Sequence, residues 1–189
     1  MTLEITYTCQ RPAATPGEDA LACIREAEAA PYAGVTVGPG ERVFARAGRT
    51  VQLLELDGSS TERIVYNARD EVTDIVFLDD KIAAVGVYAR GVELVDFEGF
   101  ESVVEERRQE RRQSIIDTNG RALDLAVNGE TLLVADGLVG LVAIDLTPDE
   151  EQTGVHPTIR TAGYTSRVVT AGELAITNEG GAGIGVYSV

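Results

Sequence analysis

The chain has 189 residues, 44% of them hydrophobic, with 31 acidic residues against 16 basic ones and a formal net charge of -15. That length suits a single domain spanning residues 1–189 with a sizeable core, and the hydrophobic content excludes wholesale disorder. So acidic a surface excludes the concentrated basic face that binding nucleic acid requires.

From the first residues, MTLEITYTCQRP offers no basic segment followed by a long apolar one. No stretch approaches the ~18 apolar residues of a membrane span. A cytoplasmic location with no membrane span is therefore expected. TLEITYT, residues 2–8, alternates as a strand does and stands apart from the segments that follow. EDALACIREAEAA contains good helix formers, with acids in its first turn, between Pro16 and Pro31, and predicts a helix over 17–30. Ala20, Cys23, Ile24 and Ala27 would share its inner face, with Leu21 at the margin and Glu18 and Glu26 outside. Cys9 and Cys23 are too few for a disulfide scaffold and form no CxxC metal or redox motif. They are expected to be small buried side chains, with one local bridge between them as an alternative.

Four similar segments follow. They run GVTVGPGERVFARAGRTVQLLELDG from Gly34, DIVFLDDKIAAVGVYARGVELVDFEG from Asp74, DLAVNGETLLVADGLVGLVAIDLTPD from Asp124 and RVVTAGELAITNEGGAGIGVYSV from Arg167. Each reads as an apolar strand, a tight turn (GPG, LDD, NGE, AGE), a second strand, a loop and a third strand. Third strands are predicted near Thr50, Gly91, Gly140 and Gly183. A fourth strand is predicted in the first three segments, from Thr61, Glu101 and His156. The resulting modules cover about 32–68, 72–116, 122–162 and 165–189. The last module lacks a fourth strand, and residues 2–8 could supply it, hiding two open sheet edges.

VVEERRQERRQSIID interrupts the second module with Arg107, Arg108, Arg111 and Arg112 beside Glu105, Glu106 and Glu110. The favoured reading is a solvated arm that pairs its own charges. The alternative is a docking site for an anionic partner or a subunit contact, because this is the main cationic cluster on an acidic chain.

Modules such as GETLLVADGLVGLVAIDLTPD resemble the LVIVD-type repeat of β-propeller proteins. The resemblance, over about Tyr32 to Val189, implies an all-β, small four-bladed propeller-like repeat fold; the strand at 2–8 would close it, and the helix at 17–30 is added to it. It leaves function open, since propellers serve as enzymes, scaffolds and binding platforms. A second composition signal is that Lys81 is the only lysine, so arginine is nearly the sole cation. Together with the surplus carboxylates, this resembles haloarchaeal proteins. At ~1 M salt the Debye length falls to roughly 3 Å, which quiets the repulsion among unbalanced charges.

Catalytic chemistry is hard to find. Ser-His-Asp and Cys-His devices need a histidine, and the chain has only His156, placed by GVHPTIR at the rim of a blade. GGAGIG near the C-terminus follows no strand–helix pattern and is assigned to a module turn. The acids from Asp70 and Glu71 to Asp74, and Asp79 with Asp80, lack the spacing of a calcium loop.

In a propeller the first strand of each blade lines the central channel. The aligned opening positions are Gly34, Asp74, Asp124 and Arg167, with Arg69, Arg121 and Ser166 near in sequence. Asp74, Asp124 and Arg167 are therefore candidates to hold a small polar ligand or a cation, Ca²⁺ or Mg²⁺, although mutual neutralisation is the favoured reading. No other cofactor and no catalytic residue is assigned. The expected function is a non-catalytic protein-interaction or scaffold module with a protein partner or self-association. One alternative is a subunit of a larger cellular or viral assembly; another is a lactonase-like, metal-dependent hydrolase using the channel-mouth carboxylates.

Overall fold

The computed structural model describes residues 32–54, 63–99, 111–147 and 157–189, and all structural statements below concern these. The expected strand at 2–8 and helix at 17–30, together with Cys9, Cys23, Arg107, Arg108 and His156, lie outside them.

The described chain is all-β: four antiparallel sheets, each a meander, with helix limited to single 3-10 turns at Pro39–Glu41, Tyr88–Arg90 and Gly180–Ala182. Sheet one contains β1 (Gly34–Val37), β2 (Val43–Ala47), β3 (Thr50–Leu54) and β4 (Arg63–Asn67). Sheet two contains β5 (Val72–Phe77), β6 (Ile82–Val87), β7 (Val92–Asp96) and β8 (Arg112–Ile116). Sheet three contains β9 (Asp124–Asn128), β10 (Thr131–Ala135), β11 (Leu141–Asp145) and β12 (Thr158–Ile159). Sheet four contains β13 (Arg167–Ala171), β14 (Leu174–Asn178) and β15 (Ile184–Ser188). No sheet closes into a barrel.

Local chemistry accounts for these meanders. The β5–β6 turn is held by Asp79, whose carboxylate accepts the backbone N–H groups of Lys81 at 2.6 Å and Ile82 at 2.7 Å. The β9–β10 and β13–β14 turns place Gly129 and Gly172 at positive φ. A different glycine recurs just before each of the last three third strands. Gly91 and Gly140 combine positive φ (77° and 111°) with close approach of the fourth strand. A Cβ there would lie 2.1 Å from the Ile116 carbonyl and 2.5 Å from that of Ile159. Gly183 shares the conformation, φ 94°, but meets nothing within 4 Å, because sheet four has no fourth strand among the described residues.

One strand differs from its expected place. The fourth strand of sheet two is Arg112–Ile116 and not the segment opening at Glu101. The edge of β7 is taken by β8, with Val92 opposite Ile116 and Leu94 opposite Ser114. The tail of the arginine segment is accordingly extended, and Arg112 is part of a sheet.

Sheets pack in chain order through their opening strands: β5 against β1 and β2, β9 against β5 and β6, β13 against β9 and β10. Three apolar cores lie at the three junctions. The first joins Phe44, Val51 and Val65 to Ile75, Ala83 and Val85; the second joins Ala84 and Val92 to Leu125 and Leu132; the third joins Leu133 and Leu141 to Val168 and Ala175. Phe44, Phe77 and Phe97 cluster in the first core with centroids 4.9–5.6 Å apart, which suits the tilted geometry aromatic rings prefer.

Candidate functional site: polar clusters at the sheet junctions

Asp74 on β5 and Asp124 on β9 hold corresponding places in successive sheets, and each reaches the backbone of the next one. Asp74 Oδ2 accepts the Leu125 N–H at 2.9 Å. Asp124 Oδ2 accepts the Val168 N–H at 2.9 Å, while its Oδ1 pairs with the Arg167 guanidinium at 3.0 Å. A carboxylate at the start of an opening strand therefore fastens the following sheet, a use that sequence alignment alone did not suggest.

Burial raises the Asp74 carboxyl above the usual range and repulsion from Asp124 adds to this, whereas the Leu125 N–H and the nearby Arg46 guanidinium oppose it. Arg46 stands opposite Gly34 in the β1–β2 register, and its side chain fills the space a Cβ at Gly34 would need. Of the three candidates, Arg167 and Asp124 thus form an ion pair, while Asp74 is held by the backbone of the next sheet. Arg69 and Arg121 are used elsewhere: Arg69 reaches Glu93, and the Arg121 guanidinium lies 5.1 Å from the centre of the Tyr88 ring.

A second cluster surrounds Glu93, a carboxylate inside the otherwise apolar strand VELVD. Glu93 is fully buried, accepts from the Tyr66 hydroxyl at 2.6 Å and Arg69 Nε at 2.8 Å, and is ion-paired with Arg112, whose Nε lies 3.1 Å away. Burial and the adjoining carboxylate push the Tyr66 hydroxyl far above its ordinary range. Arg112 Nε donates to the Tyr66 hydroxyl oxygen at 3.1 Å. Arg111 donates instead to the carbonyls of Asp96 at 2.8 Å and Glu98 at 3.0 Å. Arg111 therefore binds its own sheet, while Arg112 is tied to Glu93 of its own sheet and to Tyr66 of sheet one.

Two further acids sit just beyond second strands. Glu179 accepts from Thr177 at 2.8 Å, Tyr187 at 2.5 Å and the Ala162 N–H at 2.8 Å, and these donors hold it below the usual carboxylate range, Tyr187 foremost. Asp136 is fully buried; Thr118 donates to its Oδ1 at 2.7 Å, and its Oδ2 has no hydrogen-bond partner. Burial pushes the Asp136 carboxyl up to about 7, with repulsion from Asp117 adding to the rise against the Thr118 bond.

Sequence reasoning missed Glu93, Tyr66, Asp136 and Glu179. The only signal was a lone acid inside or at the end of an apolar strand, which does not reveal its partners.

No family model matches this chain, and neither does any curated protein. Solved structures do. The chain is similar to the computationally designed Ika4 protein at 15% identity and a TM-score of 0.54, over 78% of this chain and 85% of that one. It is similar to the computationally designed Ika8 protein at 14% identity and a TM-score of 0.54, over 82% of this chain. The match spans 45% of Ika8, less than half its length. At such identities the likeness concerns fold alone.

Among the described residues, no group of three or more His, Cys, Asp or Glu side chains is arranged to hold a metal ion. No helix among them is long and apolar enough to cross a membrane.

Proposed function

We propose that the four sheets are successive blades of a propeller-like series and that the protein is a non-catalytic interaction or scaffold module. The observation that carries this reading is how the opening-strand carboxylates are used. Both oxygens of Asp124 are engaged, by Val168 N–H and by Arg167, and Asp74 accepts the Leu125 N–H. A hydrolytic Ca²⁺ or Mg²⁺ would need those oxygens as ligands, so binding it would unfasten two sheet junctions.

Residues 2–8 are proposed to complete sheet four as its fourth strand, a reading supported by the open space beside Gly183 where sheets two and three place a strand carbonyl. The acidic, arginine-dominated composition supports a high-salt cytoplasm as the setting.

Calorimetric titration with CaCl₂ and MgCl₂ tests the choice between scaffold and hydrolase. The expected result is no saturable uptake, together with lower stability of Asp124→Asn. Saturable binding that Asp74→Asn and Asp124→Asn both abolish would establish the metal site instead.

A further inference from the structure

The three internal junctions repeat the same pairs of positions, and this makes the two outer faces of the series legible. On the leading side of each sheet, the residue after the opening position packs onto the sheet before it. Ile75 joins the core with Phe44 and Val51, Leu125 joins Ala84 and Val92, and Val168 joins Leu133 and Leu141. Val35 is the corresponding residue of sheet one. It is 55% exposed, where Ile75 is 3% exposed. Val37, matching Phe77 and Val127, is exposed as well.

On the trailing side, the residue after the repeated glycine and the one two places further on pack onto the sheet that follows. Val92 and Leu94 meet the Leu125 core, and Leu141 and Ala143 meet the Val168 core. The corresponding residues of sheet four are Ile184 and Val186, 67% and 58% exposed, whereas Leu141 is wholly buried. Val169 is exposed beside them, where its counterparts Val76 and Ala126 pack on cores.

Each end of the series thus carries one half of a junction. The leading half is Val35 with Val37; the trailing half is Val169, Ile184 and Val186. Among the described residues, β13 and β1 do not pack as the three neighbouring pairs of opening strands do.

We infer that the trailing face of sheet four is a docking surface for sheet one of a second copy of this chain. With two copies related by a twofold axis, the two head-to-tail junctions form together and continue the series through both chains as a closed ring of sheets. The inference rests on reading the sheets as one blade-like series and is independent of whether the protein is catalytic.

Sedimentation equilibrium in concentrated KCl tests it with three proteins: the wild type, a head variant (Val35→Glu with Val37→Glu) and a tail variant (Ile184→Arg with Val186→Arg). All four side chains are exposed, so both variants should keep the wild-type urea midpoint extrapolated to low protein concentration. The wild type should sediment at twice the chain mass and each variant alone at the chain mass. An equimolar mixture should return to twice the chain mass, because the intact tail of the first meets the intact head of the second and the two altered faces are opposite in charge.

A wild type at the single-chain mass overturns the inference, which is also the outcome if residues 1–31 cover the tail face. A variant that pairs with itself overturns it in favour of face-to-face pairing, and a mixture that stays monomeric overturns it too. Its failure is separable from that of the scaffold reading, since the metal titration decides the latter at either mass.

Discussion

Asp136 offers the sharpest test of how burial acts in this protein. Its carboxyl ionises near 7 when folded, against 3.8 when unfolded, chiefly because it is enclosed with one oxygen unpartnered. The folded state therefore holds a proton that the unfolded chain releases, so Asp136 adds most to stability at low pH. That contribution declines between about pH 4 and pH 7 and is then gone. Three units correspond to about 4 kcal/mol over the full range.

Asp136→Asn removes the titration and keeps an oxygen for Thr118. Urea unfolding of both proteins at fixed high salt, from about pH 5 to about pH 9, should show the variant gaining on the wild type by about 3 kcal/mol. Most of that gain should appear below pH 7, with a plateau above it. The amide also introduces a pH-independent offset, and reading the slope of the difference removes it. Repulsion from the net charge of -15 is nearly common to both proteins and cancels likewise. A difference that stays flat across the range would refute the reasoning and would mean that Asp136 is solvated or paired.

Glu93→Ala should destabilise the fold by about 3–5 kcal/mol in urea melts, because it leaves Tyr66 and Arg69 without their buried acceptor and Arg112 without its ion-pair partner. Tyr66→Phe should cost about 1–3 kcal/mol by removing one donor from the same carboxylate. Gly140→Ala should cost about 2 kcal/mol or more, since the new Cβ meets both a positive φ and the Ile159 carbonyl. Gly183→Ala should cost as much once residues 2–8 are seated beside it, and only about 1 kcal/mol, for the φ alone, in a chain lacking residues 2–8. A loss of only about 1 kcal/mol in the full chain, by thermal or urea unfolding, would show that no fourth strand lies beside Gly183.

Much of the fold was written locally. Alternating apolar residues and turn chemistry such as Asp79 and Gly129 act within a few residues, so the strands and the meander order could be read along the chain. The recurrence of Gly91, Gly140 and Gly183 before third strands was equally visible, because a positive φ selects glycine wherever it occurs. The opening positions Asp74, Asp124 and Arg167 could be aligned because the segments they begin repeat the same order of strands and turns.

What those side chains bind was decided only by tertiary structure. Asp74 and Asp124 accept backbone N–H groups of the next sheet, and every residue has such a group, so the sequence carries no mark of the partner. The Glu93 cluster joins Tyr66 and Arg69 from one stretch of the chain to Arg112 from another, and no short-range pattern links either stretch to Glu93. The arginine segment read as a charged arm because its local composition is polar. Its last residues became β8 because the exposed edge of β7 offered a ladder to pair with and Glu93 offered Arg112 a buried partner. Val35 and Ile75 hold matching places in the repeat and differ only in what lies against them, so burial at this position belongs to the assembled sheets and not to the residue.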